Sequence, residues 1–180
     1  MKCKKLFKYE IIGIFIIFFI GCLWHNLYDI LGNNVLIGLI APVNESMWEH
    51  WKIGLYPILI YSIIEYIFVK GHVKNFLFSR FIVIVVFEIV CFSLVGLWHI
   101  LFKEASFTTN MIVDIAAYFI GILIGQLAGY FISCKTKENK TLFYIAVVGI
   151  AIHIIIFILF TFNPPMIEYF KDSITGQYGL

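Results

Sequence analysis

Charged residues are scarce in this chain, which has 13 Lys and Arg and 11 Asp and Glu among 180 residues and is 62% hydrophobic. A mean hydropathy of +0.96 excludes an ordinary soluble domain. The sequence also lacks a glycine-rich phosphate loop, and its few basic residues form no nucleic-acid surface. We therefore predict an integral membrane protein whose partner is the lipid bilayer, with no nucleic acid bound.

Cysteine and the known metal-ligand motifs are sparse too. The four cysteines are Cys3, Cys22, Cys91 and Cys134. No two have the spacing of zinc ligands, and the pattern predicts no structural disulfide. The sequence contains no His-Glu-x-x-His motif and no Glu-x-x-His pair on facing helices. Ligand spacing alone therefore identifies no metal site.

Long apolar runs are what the sequence has in quantity. Five can cross about 30 Å of hydrocarbon as helices, at roughly residues 10–31, 53–69, 81–102, 111–133 and 142–162. We predict one all-α bundle over residues 1–180, with a polar segment at 32–52 that includes a short re-entrant or interfacial stretch, and a tail at 163–180. The first run also resembles a secretory signal, but it has no A-x-A site and continues to Leu31, which favours an uncleaved span.

Loop charge predicts the orientation. Ten of the 13 Lys and Arg lie near the N-terminus, in the 70–80 loop and in the 134–141 loop. By the positive-inside rule the N-terminus is inside and the C-terminus outside, in a multi-pass protein of the cell membrane. Twelve Lys against one Arg, with heavy Ile use, indicates a bacterial origin.

The segment Ala41–Lys52, APVNESMWEHWK, is the main polar interruption between two spans. We predict that Asn44 caps a short helix in which Glu45 and Glu49 share one face and His50 points away from them. Carboxylates and imidazoles are acid–base groups. Glu45, Glu49 and His50 are therefore the candidate catalytic residues.

Other ionisable residues are predicted at the same membrane side. His25, His99, His153 and Asp114 lie toward the outer ends of their spans, and buried ionisable groups usually face the interior of a bundle. Imidazoles and carboxylates that converge from separate helices suit a divalent metal such as zinc, iron or manganese. These four are the candidate metal ligands, although each His alone is also explained as a hydrogen-bonded interfacial side chain.

Two further features have a structural and a functional interpretation. Glu65 and Glu88 lie deeper in the slab, where they could mark a proton or cation path or be protonated groups bonded to neighbouring helices. Four small residues, Ala117, Gly121, Gly125 and Gly129, recur every four positions. Such a stripe allows close helix packing, either within the chain or at the seam of a homodimer.

The block VNESMWEHWK after Ala41-Pro42, with His25 upstream and the ending FNPPMIEYFKDSITGQYG, resembles a family of small bacterial multi-pass membrane proteins of unknown function. The resemblance covers nearly the whole chain. It implies several membrane helices and no particular activity, so it assigns no catalytic residue. Related tails have a His after the two prolines, where this chain has Met166.

Three functions remain open at this point. The first is a metal-dependent intramembrane hydrolase or transferase acting on a lipid or envelope substrate. The second is a small transporter or ion-conducting protein that uses Glu65 and Glu88. The third is a non-catalytic envelope sensor or assembly factor. The acid–base character of the polar residues favours the first.

Overall fold

The computed structural model describes residues 2–71 and 73–180, and the described chain is all-helical. Five of its helices are long and apolar enough to span a membrane, as the hydropathy pattern predicts. They are α1 (Lys2–His25), α4 (Lys52–Val69), α5 (Phe76–Leu101), α6 (Phe107–Lys135) and α7 (Lys140–Phe162), and the short helices α2 (Leu27–Ile30) and α3 (Val35–Gly38) lie between the first two. Helices suit hydrocarbon because their backbone groups bond within the segment.

Helix ends follow local capping chemistry. The Ser106 side chain accepts a hydrogen bond from the Thr109 amide at the start of α6, and Asn139 does the same for Thr141 at the start of α7. α7 ends at Phe162, directly before Asn163-Pro164-Pro165, as the prolines predict. The five helices thus give the bundle two distinct ends.

We call the end where α1, α5 and α7 finish the polar end, and the opposite one the lysine-rich end. Two predicted boundaries differ from the structure. The first span ends at His25 rather than at residue 31, because α2 follows it and Gly32 and Asn33 then turn with positive φ. α5 begins at Phe76 rather than at residue 81, so Arg80 belongs to the helix and not to the loop in which it was counted.

The small-residue stripe packs within the chain. A Cβ atom on Gly121 would lie 2.9 Å from Cys91 Cβ, and one on Gly125 would lie 2.9 Å from the Val83 carbonyl oxygen. α5 therefore covers this face of α6, which agrees with the alternative that the stripe packs within the chain, and a homodimer stays a prediction.

The polar segment is largely irregular. Helical structure resumes only in a 3₁₀ turn at Glu49–Trp51, so the predicted helix from Asn44 to Lys52 is wrong. The irregular path is stabilised by the tail, which folds back over the polar end as the aromatic content of that tail suggests. The Trp48 amide donates to the Tyr169 carbonyl, and the Trp48 ring lies 4.8 Å from that of Phe157 and 5.0 Å from that of Phe170.

The lysine-rich end contains a covalent contact that the sequence did not predict. Cys3 of α1 and Cys134 of α6 form a disulfide with their Cα atoms 5.8 Å apart, within the ordinary range for such bonds. The expectation of no disulfide was wrong because residues 131 positions apart in sequence become neighbours when α1 packs beside α6. Cys22 and Cys91 are free.

Candidate functional site

Three of the predicted site residues meet at the polar end. His25 is the last residue of α1, while Glu45 and His50 come from the segment before α4. His25 Nε2 lies 3.1 Å from His50 Nε2, and Glu45 Oε2 lies 3.7 Å from the first ring and 3.4 Å from the second. We call these three residues the polar triangle. In the described part of the chain they are the one set of three that could hold a metal ion.

The irregular backbone explains the contact between Glu45 and His50. A regular helix would place them on different faces, but the chain between them passes through a bend and a turn before the 3₁₀ turn. The hydrogen bond with the His50 ring lowers the pKa of the Glu45 carboxyl, which outweighs the opposite effect of its partial burial. Glu45 is therefore a carboxylate at neutral pH.

His50 is oriented by the backbone. Its Nδ1 lies 2.7 Å from the Ser46 carbonyl oxygen, which can only accept, so Nδ1 carries a hydrogen. Nε2 of the same ring donates to Glu45 when it is protonated, and it presents a lone pair to His25 and Glu45 when it is not. This arrangement is typical of metal-binding histidines, whose second nitrogen donates to a backbone carbonyl.

The tail holds Glu45 on both sides. Asp172 Oδ1 accepts a hydrogen bond from the Glu45 amide at 3.2 Å, and the Ser173 hydroxyl donates to the Glu45 carbonyl at 3.2 Å. Burial raises the pKa of Asp172, but hydrogen bonds from the Thr175 side chain and from backbone amides outweigh it and leave the pKa lowered. The tail therefore contributes directly to the position of the polar triangle.

A cleft of about 270 Å³ opens beside the polar triangle. It is lined by His25, Asp29, Pro42, Val43, Asn44, Glu45, Asp172, Ile174 and Thr175. The side chains of His25 and Glu45 are 30% and 39% exposed. A small molecule or metal ion could therefore reach them from outside the bundle.

Glu49, a predicted catalytic residue, is turned away from the cleft. It is buried and pairs with Lys52, whose Nζ lies 2.6 Å from Glu49 Oε2. The same Nζ donates to Thr161 Oγ1 at 2.6 Å and to the Gly38 carbonyl at 2.7 Å. Sequence reasoning treated Lys52 as a loop charge and missed its role, which is to join α3, α4 and α7.

The remaining predicted ligands form separate pairs. His99 lies 3.3 Å from Asp114 between α5 and α6, and His153 lies 3.1 Å from Glu88 between α7 and α5. Neither pair belongs to the set of metal-capable groups around His25. The sequence predicted that all these histidines converge in one pocket. The structure instead brings His25 and His50 together and keeps His99 and His153 in separate pairs.

A second polar cluster lies inside the bundle, toward the lysine-rich end. Arg80 binds Glu10 in a bidentate pair at 2.5 and 3.0 Å, and its Nη1 also lies 2.8 Å from Glu65 Oε2. We call Glu10, Glu65 and Arg80 the buried triad. The sequence offered Glu65 either as part of a path with Glu88 or as a protonated group bonded to a neighbouring helix. In the structure it pairs with Arg80 of α5, which had been counted as a loop residue.

Comparison with curated proteins and with solved structures finds no match. A family model does match, and it covers residues 1–180. The chain therefore belongs to DUF6512, a family of unknown function.

Proposed function

We propose that this chain is a metal-dependent hydrolase or transferase of the membrane, with His25, His50 and Glu45 as metal ligands and a lipid or envelope molecule as substrate. The observation that carries the proposal is the polar triangle itself. Two ring nitrogens and a carboxylate oxygen lie within 3.7 Å of one another, and lone pairs this close are stabilised by a proton or a metal ion between them.

The dimensions of the polar triangle fit zinc. A tetrahedral zinc ion with bonds of about 2.1 Å has its ligand atoms about 3.4 Å apart. The three edges here are 3.1, 3.4 and 3.7 Å. An ion held by all three atoms would keep its fourth position free, which is the arrangement of catalytic zinc sites with three protein ligands and a water molecule.

The cleft supplies a place for the chemistry. When bound, zinc lowers the pKa of its water to about 7 and polarises a carbonyl. Asp29 lies one helical turn beyond His25 and lines the same cleft. Its carboxylate is exposed, and no hydrogen bond to it occurs among the described residues. Because Glu49 is bound to Lys52 and Glu45 serves as a ligand, we assign the general base to Asp29.

The charge of the cleft favours an uncharged reacting group. Its lining includes the carboxylates of Asp29, Glu45 and Asp172 and contains neither Lys nor Arg. A zinc ion would offset two of these three negative charges, so a phosphodiester would still meet a negatively charged cleft, whereas an ester or amide carbonyl carries no charge to be repelled. We therefore propose an acyl-group substrate. A water molecule would attack the carbonyl carbon and give a proton to Asp29, and Asp29 would pass that proton to the leaving alcohol or amine as the acyl bond breaks.

The proposed site faces the outside of the cell, because nine exposed or terminal lysines remain at the opposite end once Arg80 is assigned to the bundle interior. Cys3 and Cys134 then lie on the side of the reducing cytosol, which would convert the disulfide between them into two thiols in the cell. Labelling in intact cells with a membrane-impermeant maleimide should miss both cysteines and a permeant one should reach them. Labelling of both by the impermeant reagent would reverse the orientation.

Metal content and hydrolysis together test the proposal. The protein is purified in a maltoside detergent, loaded with zinc and passed over a desalting column, and the bound metal is measured by mass spectrometry. We expect about one zinc per chain in the wild type, and a loss in His25→Ala and His50→Ala. His99→Ala and His153→Ala are the matched controls, since both change a membrane histidine outside the polar triangle.

Activity is then measured on fluorogenic acyl esters and amides presented in detergent micelles. Zinc-dependent turnover should disappear in Asp29→Asn while the metal content stays unchanged. Equal metal content in the two His variants and the two controls would contradict the site. If the protein binds about one zinc per chain but turns over no acyl or phosphoryl substrate, it binds metal without catalysis. That result would contradict the proposed enzymatic activity. The transport and sensor functions stay predictions. Glu65 and Glu88 do not lie in one site that a transported ion could use, because Glu65 pairs with Arg80 and Glu88 pairs with His153.

A further inference from the structure

We propose that the buried triad is a proton-binding site that holds one proton on Glu65. It is separate from the polar triangle and does not depend on the function proposed for it. Three helices contribute its members, since Glu10 belongs to α1, Glu65 to α4 and Arg80 to α5. A fourth helix, α6, closes the site with Gln126, whose Oε1 lies 3.3 Å from Arg80 Nη1.

The charge balance of the buried triad requires a further positive charge. Glu10 and Glu65 are 0% exposed and Arg80 is 1% exposed. Two carboxylates and one guanidinium carry a net charge of −1 in a region where each uncompensated ion costs several kcal/mol. Two carboxylates that share one site lower this cost by keeping a proton on one of them. A bound proton therefore makes the buried triad neutral.

No other cation among the described residues is placed to supply that charge. Among the described groups, Arg80 binds both carboxylates, Ser79 and Gln126 accept from Arg80, and Tyr61 lies near both carboxylates, and of these Arg80 alone is positive. The Tyr61 hydroxyl is engaged elsewhere, because it donates to the Tyr9 carbonyl at 2.5 Å. The compensating charge must accordingly come from a small ion, and the proton is the smallest.

The hydrogen bonds assign the proton to Glu65. Both oxygens of Glu10 accept from Arg80, which is the arrangement that stabilises an ionised carboxylate. Glu65 uses only Oε2, and its Oε1 is buried without a hydrogen-bond partner in the described part of the chain. Because fewer hydrogen bonds stabilise its ionised form, Glu65 rather than Glu10 takes the proton.

Infrared spectroscopy tests the assignment directly. A protonated carboxyl has a carbonyl stretch that carboxylates and amides lack. The protein is measured at neutral pH in dodecyl maltoside, which contains no carbonyl group, with deuterium exchange to identify the band. We expect a protonated-carboxyl band in the wild type that disappears in Glu65→Gln. Glu88→Gln is the matched control, because Glu88 is the other deeply buried carboxyl with an unpartnered oxygen.

Thermal unfolding gives an independent measurement. Glutamine has nearly the shape of a protonated glutamate, so Glu65→Gln should keep the melting temperature of the wild type, while Glu10→Gln should lower it. A band that survives in Glu65→Gln and disappears in Glu10→Gln would overturn the assignment to Glu65. The absence of any Glu65-dependent band, or a melting temperature that rises with added sodium or potassium ions, would overturn the proton itself in favour of a metal cation.

Discussion

Replacing Lys52 with Met should unfold the polar end, because this one side chain joins three parts of the structure. Lys52 is fully buried, and its three shortest hydrogen bonds, at 2.6, 2.6 and 2.7 Å, reach Glu49, Thr161 and the Gly38 carbonyl. Methionine fills a similar volume but donates nothing. The change leaves the Glu49 carboxylate, which is 2% exposed, without its counter-ion.

The expected loss follows from the burial of the pair. Removing one partner of a buried ion pair typically costs about 3–5 kcal/mol, whereas an exposed pair contributes about 1 kcal/mol or less. The free energy of unfolding is measured in mixed micelles by titration with sodium dodecyl sulfate, with Lys103→Met at an exposed lysine as the control. The double variant Lys52→Met with Glu49→Gln should lose less than the sum of the single variants.

A loss within about 1 kcal/mol of the Lys103→Met control would refute the reasoning, since the pair would then behave as an exposed one. Additive losses in the double variant would refute it as well.

Three further outcomes are expected. Glu49→Gln should bind zinc with the stoichiometry of the wild type, measured by mass spectrometry, because its carboxyl lies outside the polar triangle. Asp172→Ala should weaken zinc binding by about tenfold or more in a competition titration with a chelator, since residues that orient a ligand have effects of this size, and Glu168→Gln, an exposed change in the same tail, should leave it unchanged. Gly125→Ala should lower the melting temperature, because its Cβ meets the Val83 backbone at 2.9 Å, while Gly96→Ala, which meets nothing within 4 Å, should not.

The membrane architecture was predictable because hydropathy alone determines it. Five long apolar runs give five long helices, and α7 ends before Asn163-Pro164-Pro165 as proline chemistry requires. Helix ends that have no such clear signal in the sequence were predicted at the wrong residues. His25 ends α1 without a helix-breaking residue, and polar residues at the start of α5 hid the fact that Arg80 lies inside the helix.

The candidate site was located but not assembled correctly. The sequence identified the block around Glu45 and His50 and placed His25 at the same end, because ionisable residues in an apolar chain are conspicuous. It separated Glu45 from His50 by applying helical spacing to residues that are irregular. The path of this segment is set by the tail and by Lys52, which are long-range contacts that periodicity cannot show.

The buried triad was missed for a different reason. Glu10 lies at the edge of an apolar run and Arg80 near a loop, so each looked like a residue exposed at the membrane surface. Only the contacts of Arg80 with Glu10 and Glu65 reveal that these charges lie in the interior of the bundle. The sequence of one chain indicates how deep a residue lies along its helix. It does not indicate how the helix is rotated about its axis, which decides whether two charged faces meet.

The coordination of zinc in the loaded protein tests the central claim most directly. X-ray absorption at the zinc edge, combined with an anomalous difference map from crystals of the zinc-loaded protein, reports both the ligands and their place in the fold. We predict an ion bound by His25 Nε2, His50 Nε2 and a Glu45 oxygen at about 2.0–2.2 Å, with one further position open to the cleft. Zinc bound only by His99 with Asp114 or by His153 with Glu88, or no ordered zinc at the polar end, would contradict the account.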